Sequence, residues 1–266
     1  MKLHVVSFQV PYPADYGGAI DVYYKLKALK EAGYEIVLHT YAYGDRIHQD
    51  VPADVYDQIY YYQRETGWKH QFSLLPYIVS TRKDDELLRR LCQDDAPILF
   101  EGLHTCYPLS HPLLKHRKKI VRMHNIEHEY YWRLACQTGL NWRTLYYAIE
   151  ALRLRLFERN LHHAQLICAI TKADAQKLSR KYGSASVVHL PCFFDLSFPS
   201  SSVGTNRFVL YQGNLAVEEN HRTALFIIRQ IAPRCPDTLF VIAGRNPHLG
   251  SVPRNVEVVG NPTAEH

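Results

Sequence analysis

The sequence predicts an α/β fold of two parallel-sheet units, the second of them incomplete. Three observations lead there. Short apolar runs alternate with stretches of helical period along most of the 266 residues. One segment rich in Ser, Pro and Gly, "FDLSFPSSSVGTN", breaks that rhythm. After it the rhythm restarts for about 60 residues, with three strands and one helix, too few to bury a good core alone. The expected boundaries are 1–193, a linker at 194–206 and 207–266, and the chain is expected to stop inside its second unit.

The elements follow in order. "LHVVSF" reads as a buried strand, and a loop rich in Pro and Tyr leads to "DYGG". "AIDVYYKLKALKEAGY" sets Ile20, Tyr23, Leu26 and Leu29 at helical spacing, with Gly33 closing the helix. "EIVLHTY" is the next strand and completes a β-loop-α-β unit. "QIYYYQ" is a strand, "DDELLRRLCQ" a helix with an acidic first turn, and "PILFEG" and "KKIVRMHN" are strands. Residues 141–163 are expected to form the longest helix, with Trp142, Leu145, Tyr146, Ile149, Leu152 and Leu156 as one apolar stripe. "AQLICAIT" is a strand, "KADAQKLSRKYG" a helix capped by Thr171 and ended by Gly183, and "SVVHLP" a short strand. Beyond the linker come the strand "RFVLYQGN", the helix "EENHRTALFIIRQIA" and the strands "TLFVIAG" and "NVEVVG".

Composition narrows the function. Hydrophobic residues make up 47% and charged residues 21%, the balance of a folded globular protein. A net charge of +5 accommodates an anionic ligand or a membrane surface but is too small to argue for nucleic-acid binding. The six cysteines form no C-x-x-C pair and read as reduced thiols of a cytoplasmic protein. The N-terminal segment is too short and interrupted for a signal peptide, and no apolar run approaches a membrane span.

Gly17 and Gly18 lie between a strand and a helix. The helix start offers unpaired N–H groups and the positive end of the dipole, and glycine lets a phosphate approach the backbone. Taken alone, the pair is better explained as an ordinary tight turn. Neither the dinucleotide fingerprint nor the P-loop is present.

The ordered set of motifs resembles the retaining glycosyltransferases of the GT-B fold, family four. "PYPADYGGAIDVYYKLKALKEAGYEIVLHTY" is similar to the family's opening strand, Gly-Gly loop and helix, with "GYEI" in place of its "GHEV" phrase. "VRMHNIEHEYY" resembles the loop bearing its active-site histidine, and "ICAITKADAQKL" its "S-x-x-D/E" helix start. "LYQGNLAVEENHRTALFII", "LFVIAGRNP" and "VEVVGNP" resemble the opening of its C-terminal domain. The resemblance implies an N-terminal acceptor-side domain and a C-terminal nucleotide-sugar-binding domain, both Rossmann-like. It implies a nucleotide-sugar donor bound between them, with its diphosphate near Gly17 and Gly18. The sugar passes to a saccharide or lipid-linked acceptor with retained configuration, without metal or cofactor, in surface polysaccharide synthesis.

The resemblance also implies roles. His124 contacts the donor sugar or transition state, with Asn125 and Glu127 orienting it or meeting the acceptor. Glu101, after "PILF", is a candidate for the acceptor pocket or else a loop carboxylate. Gly213, Asn214, Asn220 and Arg245 are candidates for the donor. Relatives carry an Arg and a Lys on the diphosphate where this chain has Asn214, Glu218, Glu219, Asn220 and His221. The family's paired glutamates, eight positions apart, would fall after His266, so the chain as it stands is expected to be catalytically incomplete.

Competing readings remain. "HNIEH" from His124 to His128 fits the inverted zincin pattern, which would make a zinc hydrolase. A nucleotide-sugar epimerase or a non-catalytic binding fragment could use the same scaffold. "HPLLKHRKK" and "RLRLFERNLHH" are basic stretches that fit either a solvated face or peripheral contact with the inner membrane face.

Overall fold

The computed structural model describes residues 1–44, 46, 51–137, 139, 141–194, 208–245 and 248–261. The chain divides into two compact units, Met1–Leu196 and Ser197–His266. The linker expected at 194–206 lies outside the described residues except for Phe194.

The first unit is built on seven strands: β1 (Lys2–Ser7), β2 (Glu35–Ala42), β3 (Gln58–Gln63), β4 (Ile98–Glu101), β5 (Lys119–Met123), β6 (Leu166–Ala169) and β7 (Val187–His189). All pair in parallel, in the order β3-β2-β1-β4-β5-β6-β7. Six helices accompany them: α1 (Gly17–Glu31), α2 (Tyr77–Ser80), α3 (Asp85–Leu91), α4 (Glu127–Gln137), α5 (Trp142–Phe157) and α6 (Lys172–Tyr182).

Neighbouring residues on a strand point to opposite faces, so the central strands feed two cores. Val5 of β1 and Leu99 of β4 pack with Val22 and Leu26 of α1 and with Ile36 and Leu38 of β2. Val6 and Phe100, one step along, join the other core with Val121, Ile167, Leu91, Leu154 and Leu178. Burial on both sides explains why these strands read as continuous apolar runs. Thr171 caps α6 as expected: its Oγ1 accepts the Asp174 N–H at 3.0 Å.

The apolar stripe expected on the 141–163 helix faces largely outward: Trp142, Leu145, Ile149, Leu152 and Leu156 are 42 to 74% exposed, and Tyr146 is half-buried. The helix buries Glu150, Ala151, Leu154 and Phe157 instead. The reason is local and polar. Glu150 accepts the Tyr77 N–H at 2.7 Å and the Arg153 guanidinium at 2.6 Å, so a carboxylate is satisfied on the inner face. A count of apolar spacing cannot register such partners. The helix also stops at Phe157, and 158–163 continue as a tighter 3₁₀ turn.

The described residues of the second unit form three parallel strands, β8 (Phe208–Asn214), β9 (Leu239–Arg245) and β10 (Val256–Gly260), in the order β10-β9-β8. Helix α7 (Glu218–Phe226) runs on through a wider turn at Ile227–Ile231. Leu215, Ala224, Ile228, Phe240, Ile242 and Val256 form its small core.

Candidate functional site

The strand order of the first unit reverses between β1 and β4: β2 and β3 extend to one side, β4 to β7 to the other. Loops leaving the carboxyl ends of β1 and β4 diverge there, and open α/β sheets place ligands at such a point. Phe8 follows β1, Gly17 and Gly18 open α1, Gly102 and His104 follow β4, and His124 follows β5.

The Phe8 ring is the hub. It meets the His124 ring edge-on at 5.4 Å between centroids and lies 5.3 Å from the His104 ring. Its Cζ would stand 3.1 Å from a β-carbon at Gly18, and Tyr16 Cε2 would stand 3.0 Å from it. A β-carbon at Gly18 would therefore crowd two packed rings, whereas one at Gly17 would meet nothing within 4 Å among the described residues. The side chain of the N-cap residue, Tyr16, does not cap the start of α1. Gly102 has φ +71°, and a β-carbon there would press on His104 Nδ1 at 2.9 Å and approach His124 Cδ2 at 3.8 Å. His104 Nδ1 is buried without a hydrogen-bond partner among the described residues. Burial, with Arg82 and His124 nearby, holds that imidazole well below its ordinary pKa, so it is neutral at pH 7.

Beneath the rings lies a buried ionic network. Glu101, fully buried, accepts from His124 Nε2 at 3.1 Å and from Lys25 Nζ at 3.0 Å. Lys25 Nζ also reaches Asp21 at 3.0 Å. Asp21 accepts Arg122 Nη2 at 2.9 Å and the Phe193 N–H at 2.8 Å. Burial alone would raise the Asp21 carboxyl, but Lys25, Arg122 and the Phe193 amide draw it down to about 2. Burial likewise works against the Glu101 charge, and Lys25 and His124 outweigh it, leaving its pKa lowered.

Asp21, Glu101 and His124 bring ligand-type atoms within 4.8 Å of one another, a donor set chemically apt for a metal. Lys25 already holds the cationic position between the two carboxylates. The "HNIEH" residues do not converge on a shared ligand position. His124 turns to Glu101, His128 Nδ1 bonds Glu158 at 2.7 Å, and Glu127 is buried in the first turn of α4. The zinc-hydrolase reading of that motif is therefore corrected.

The other site candidates fall as follows. Asn125 is exposed beside His124. Glu127 is raised to about 7, by burial first and the nearby Glu158 second, with Asn125 opposing. It is buried in the first turn of α4. Glu101 meets no solvent, and its carboxylate is bonded to His124 and Lys25. In the second unit, Gly213 and Asn214 end β8 and Arg245 ends β9. The Asn220 amide donates to the Asn214 carbonyl at 3.0 Å, and Asn214 Oδ1 accepts the Ala216 N–H at 3.1 Å. Both side chains thus hold the turn between β8 and α7.

Lys25, Asp21, Arg122 and His104 were missed in the sequence. A signal existed for Arg122: a charged residue inside the apolar run "KIVRM" of an inner parallel strand demands a buried partner.

No family model matches the chain. A curated relative, an uncharacterized 44.6 kDa protein in a cps region of Klebsiella pneumoniae, is 24% identical over 254 residues, which is 91% of this chain. The chain spans 64% of that relative's length. Among solved structures, the sucrose-phosphate synthase of Thermosynechococcus elongatus superposes with a TM-score of 0.63 at 13% identity, over 98% of this chain and 70% of its own. TarM gives 0.61 at 10% identity, over 99% and 77%. Phytolacca americana UGT2, complexed with UDP-2fluoro-glucose and pterostilbene, gives 0.57 at 10% identity, over 98% and 72%. The seven-stranded parallel sheet and its flanking helices have the α/β fold of these GT-B glycosyltransferases.

Proposed function

We propose that the protein is a glycosyltransferase. It moves a sugar from a nucleotide-sugar donor to a saccharide or lipid-linked acceptor, with retained configuration and without a metal, in surface polysaccharide synthesis. The fold shared with glycosyltransferases and the relative in a cps region support this reading. The observation that carries it is the Phe8 hub, which gathers the start of α1 and two imidazoles at the carboxyl ends of β1, β4 and β5.

The chemistry matches these parts. Breaking a glycosyl–phosphate bond builds positive charge on the sugar and negative charge on the departing phosphate. The N–H groups at Gly17 and Gly18, with the helix dipole behind them, face that anion and stabilise it. His124 donates from Nε2 to the Glu101 carboxylate, which fixes the ring and leaves Nδ1 as its remaining polar atom for a sugar hydroxyl. The departing phosphate takes the acceptor's proton, so no separate protein base is needed. In the second unit, Gly213, Asn214, Asn220 and Arg245 are assigned to the nucleotide side.

The test is a panel of UDP-, GDP- and ADP-sugars, read by thermal shift and by NMR of donor cleavage on the whole-length protein. One donor is expected to raise the melting midpoint. His124→Ala is expected to lower turnover at least 100-fold at an unchanged or slightly lowered midpoint, with His124→Asn checking the fold. Silence from every donor, or turnover and stability falling together in both variants, would overturn the assignment.

A further inference from the structure

The outward stripe of α5 belongs to a larger surface. All three tryptophans of the chain are more than half exposed: Trp68, Trp132 and Trp142. Trp132 of α4 and Leu152 of α5 line a groove of about 500 Å³ between the two helices, together with Arg133, Arg155, His128 and Glu129, whose carboxylate is paired with Lys177. The segment of Trp68 and Phe72 borders the other side of α5, because the Gln71 carbonyl accepts Arg153 Nη1 at 2.9 Å. Phe72 and Leu74 are 78% and 97% exposed. Monomeric surfaces rarely gather this many large apolar side chains without a partner.

Charge identifies the partner. Between residues 142 and 159 the chain carries four arginines and two carboxylates, and both carboxylates, Glu150 and Glu158, are buried. Arg143, Arg155 and Arg159 are exposed with the stripe, and the Arg143 guanidinium lies 5.6 Å from the Trp142 ring. An exposed face of Trp, Leu and Ile edged by arginine is the composition of a helix lying in a lipid interface. A second copy fits poorly, since a two-fold contact through this face would set its arginines against one another.

We propose that the outer face of α4 and α5, with the Trp68–Leu74 segment, docks on an anionic lipid bilayer surface. The apolar side chains enter the headgroup boundary and the arginines pair with lipid phosphates. No helix among the described residues is long and apolar enough to cross a membrane, so the contact is lateral. This inference stands whether or not the protein transfers a sugar.

The test is co-sedimentation with vesicles of phosphatidylcholine alone and with 30 mol% phosphatidylglycerol (roughly the anionic content needed for a strong surface potential), with intrinsic tryptophan fluorescence as a second readout. Partition and a blue shift are expected on the anionic vesicles only. Arg143→Ala with Arg155→Ala is expected to weaken partition about 30-fold, from about fivefold per arginine near an anionic surface. Leu145→Glu with Leu152→Glu is expected to abolish it, and both pairs are exposed enough to leave the fold intact. Absence of partition to either vesicle would overturn the proposal. So would partition indifferent to both double variants, or a dimer in sedimentation that the Leu→Glu pair dissolves.

Discussion

Lys25 is the residue whose removal tests the buried network most directly. Its Nζ lies 3.0 Å from Asp21 and 2.9 Å from Glu101, carboxylates that are 1% and 0% exposed. With Lys25 replaced by Met, two buried carboxylates share one remaining permanent cation, Arg122. Removing one member of a buried pair while its partners stay charged costs about 3–5 kcal/mol. Lys25→Met is therefore expected to lower the unfolding free energy of the first unit by about that much in urea titrations at pH 7. Glu101 should then take up a proton, because burial, the opposing influence in the native protein, prevails once the ammonium is gone. Adding Glu101→Gln removes the uncompensated charge, so the double variant should be more stable than Lys25→Met alone, by about 2 kcal/mol or more. A cost under about 1 kcal/mol for Lys25→Met, or strictly additive losses in the double variant, would show that the ammonium does not neutralise this site.

Two pH dependences follow from buried groups outside the network. Glu127 titrates near 7 in the folded chain, above its unfolded value, so its contribution is whole below about pH 4.5 and is lost as pH rises toward 7. Glu127→Gln should flatten that decline, worth up to about 3 kcal/mol, in urea midpoints measured from pH 4.5 to 7.5. His39 bonds His4 at 2.9 Å and the Tyr62 hydroxyl at 2.8 Å, and burial with His4 beside it lowers its pKa to about 3. Its contribution is whole above about pH 6.5 and falls with pH, by about 2 kcal/mol between pH 6.5 and 5. His39→Phe should remove that part of the acid slope; an unchanged slope would mean that the ring is protonated in place.

Much of this architecture is legible in the sequence because local rules and burial agree. "LHVVSF", "ILF" and "LICA" are apolar on both sides, as strands covered by helices on both faces must be, and Thr171 marks its helix by a bond to its own first turn. The Gly-Gly pair between strand and helix, and His124 at a strand end, were visible for the same reason. What escaped depends on distant partners. Asp21 and Lys25 are four apart on α1 and read as a solvated ion pair, until Glu101 and Arg122 from two other strands enclose them. His104 has no local signature beyond the glycine two residues before it. The direction of the α5 stripe was not legible because spacing gives a face but not the side it turns to, and Glu150 with its two donors occupies the inner one.

An apolar cluster of equal volume would stabilise the centre of the first unit as well as these ions do. It would not aim anything. Hydrogen bonds to Glu101 fix the rotation of His124 about its strand end, and the network extends in the other direction as well. Arg122 binds the carbonyls of Leu190 and Pro191, Asp21 takes the Phe193 N–H, and the Phe193 ring lies 5.7 Å from Lys25 and 6.0 Å from Arg122. The segment leaving β7 is thereby fastened to the ions that orient the imidazole. Asp21 ties the two ends together, because that carboxylate is bonded to Lys25, Arg122 and the Phe193 amide at once. The unit thus holds a directed histidine and a fixed chain exit with one set of buried charges, and the cost of burying them is offset by the two apolar cores on either side of the sheet.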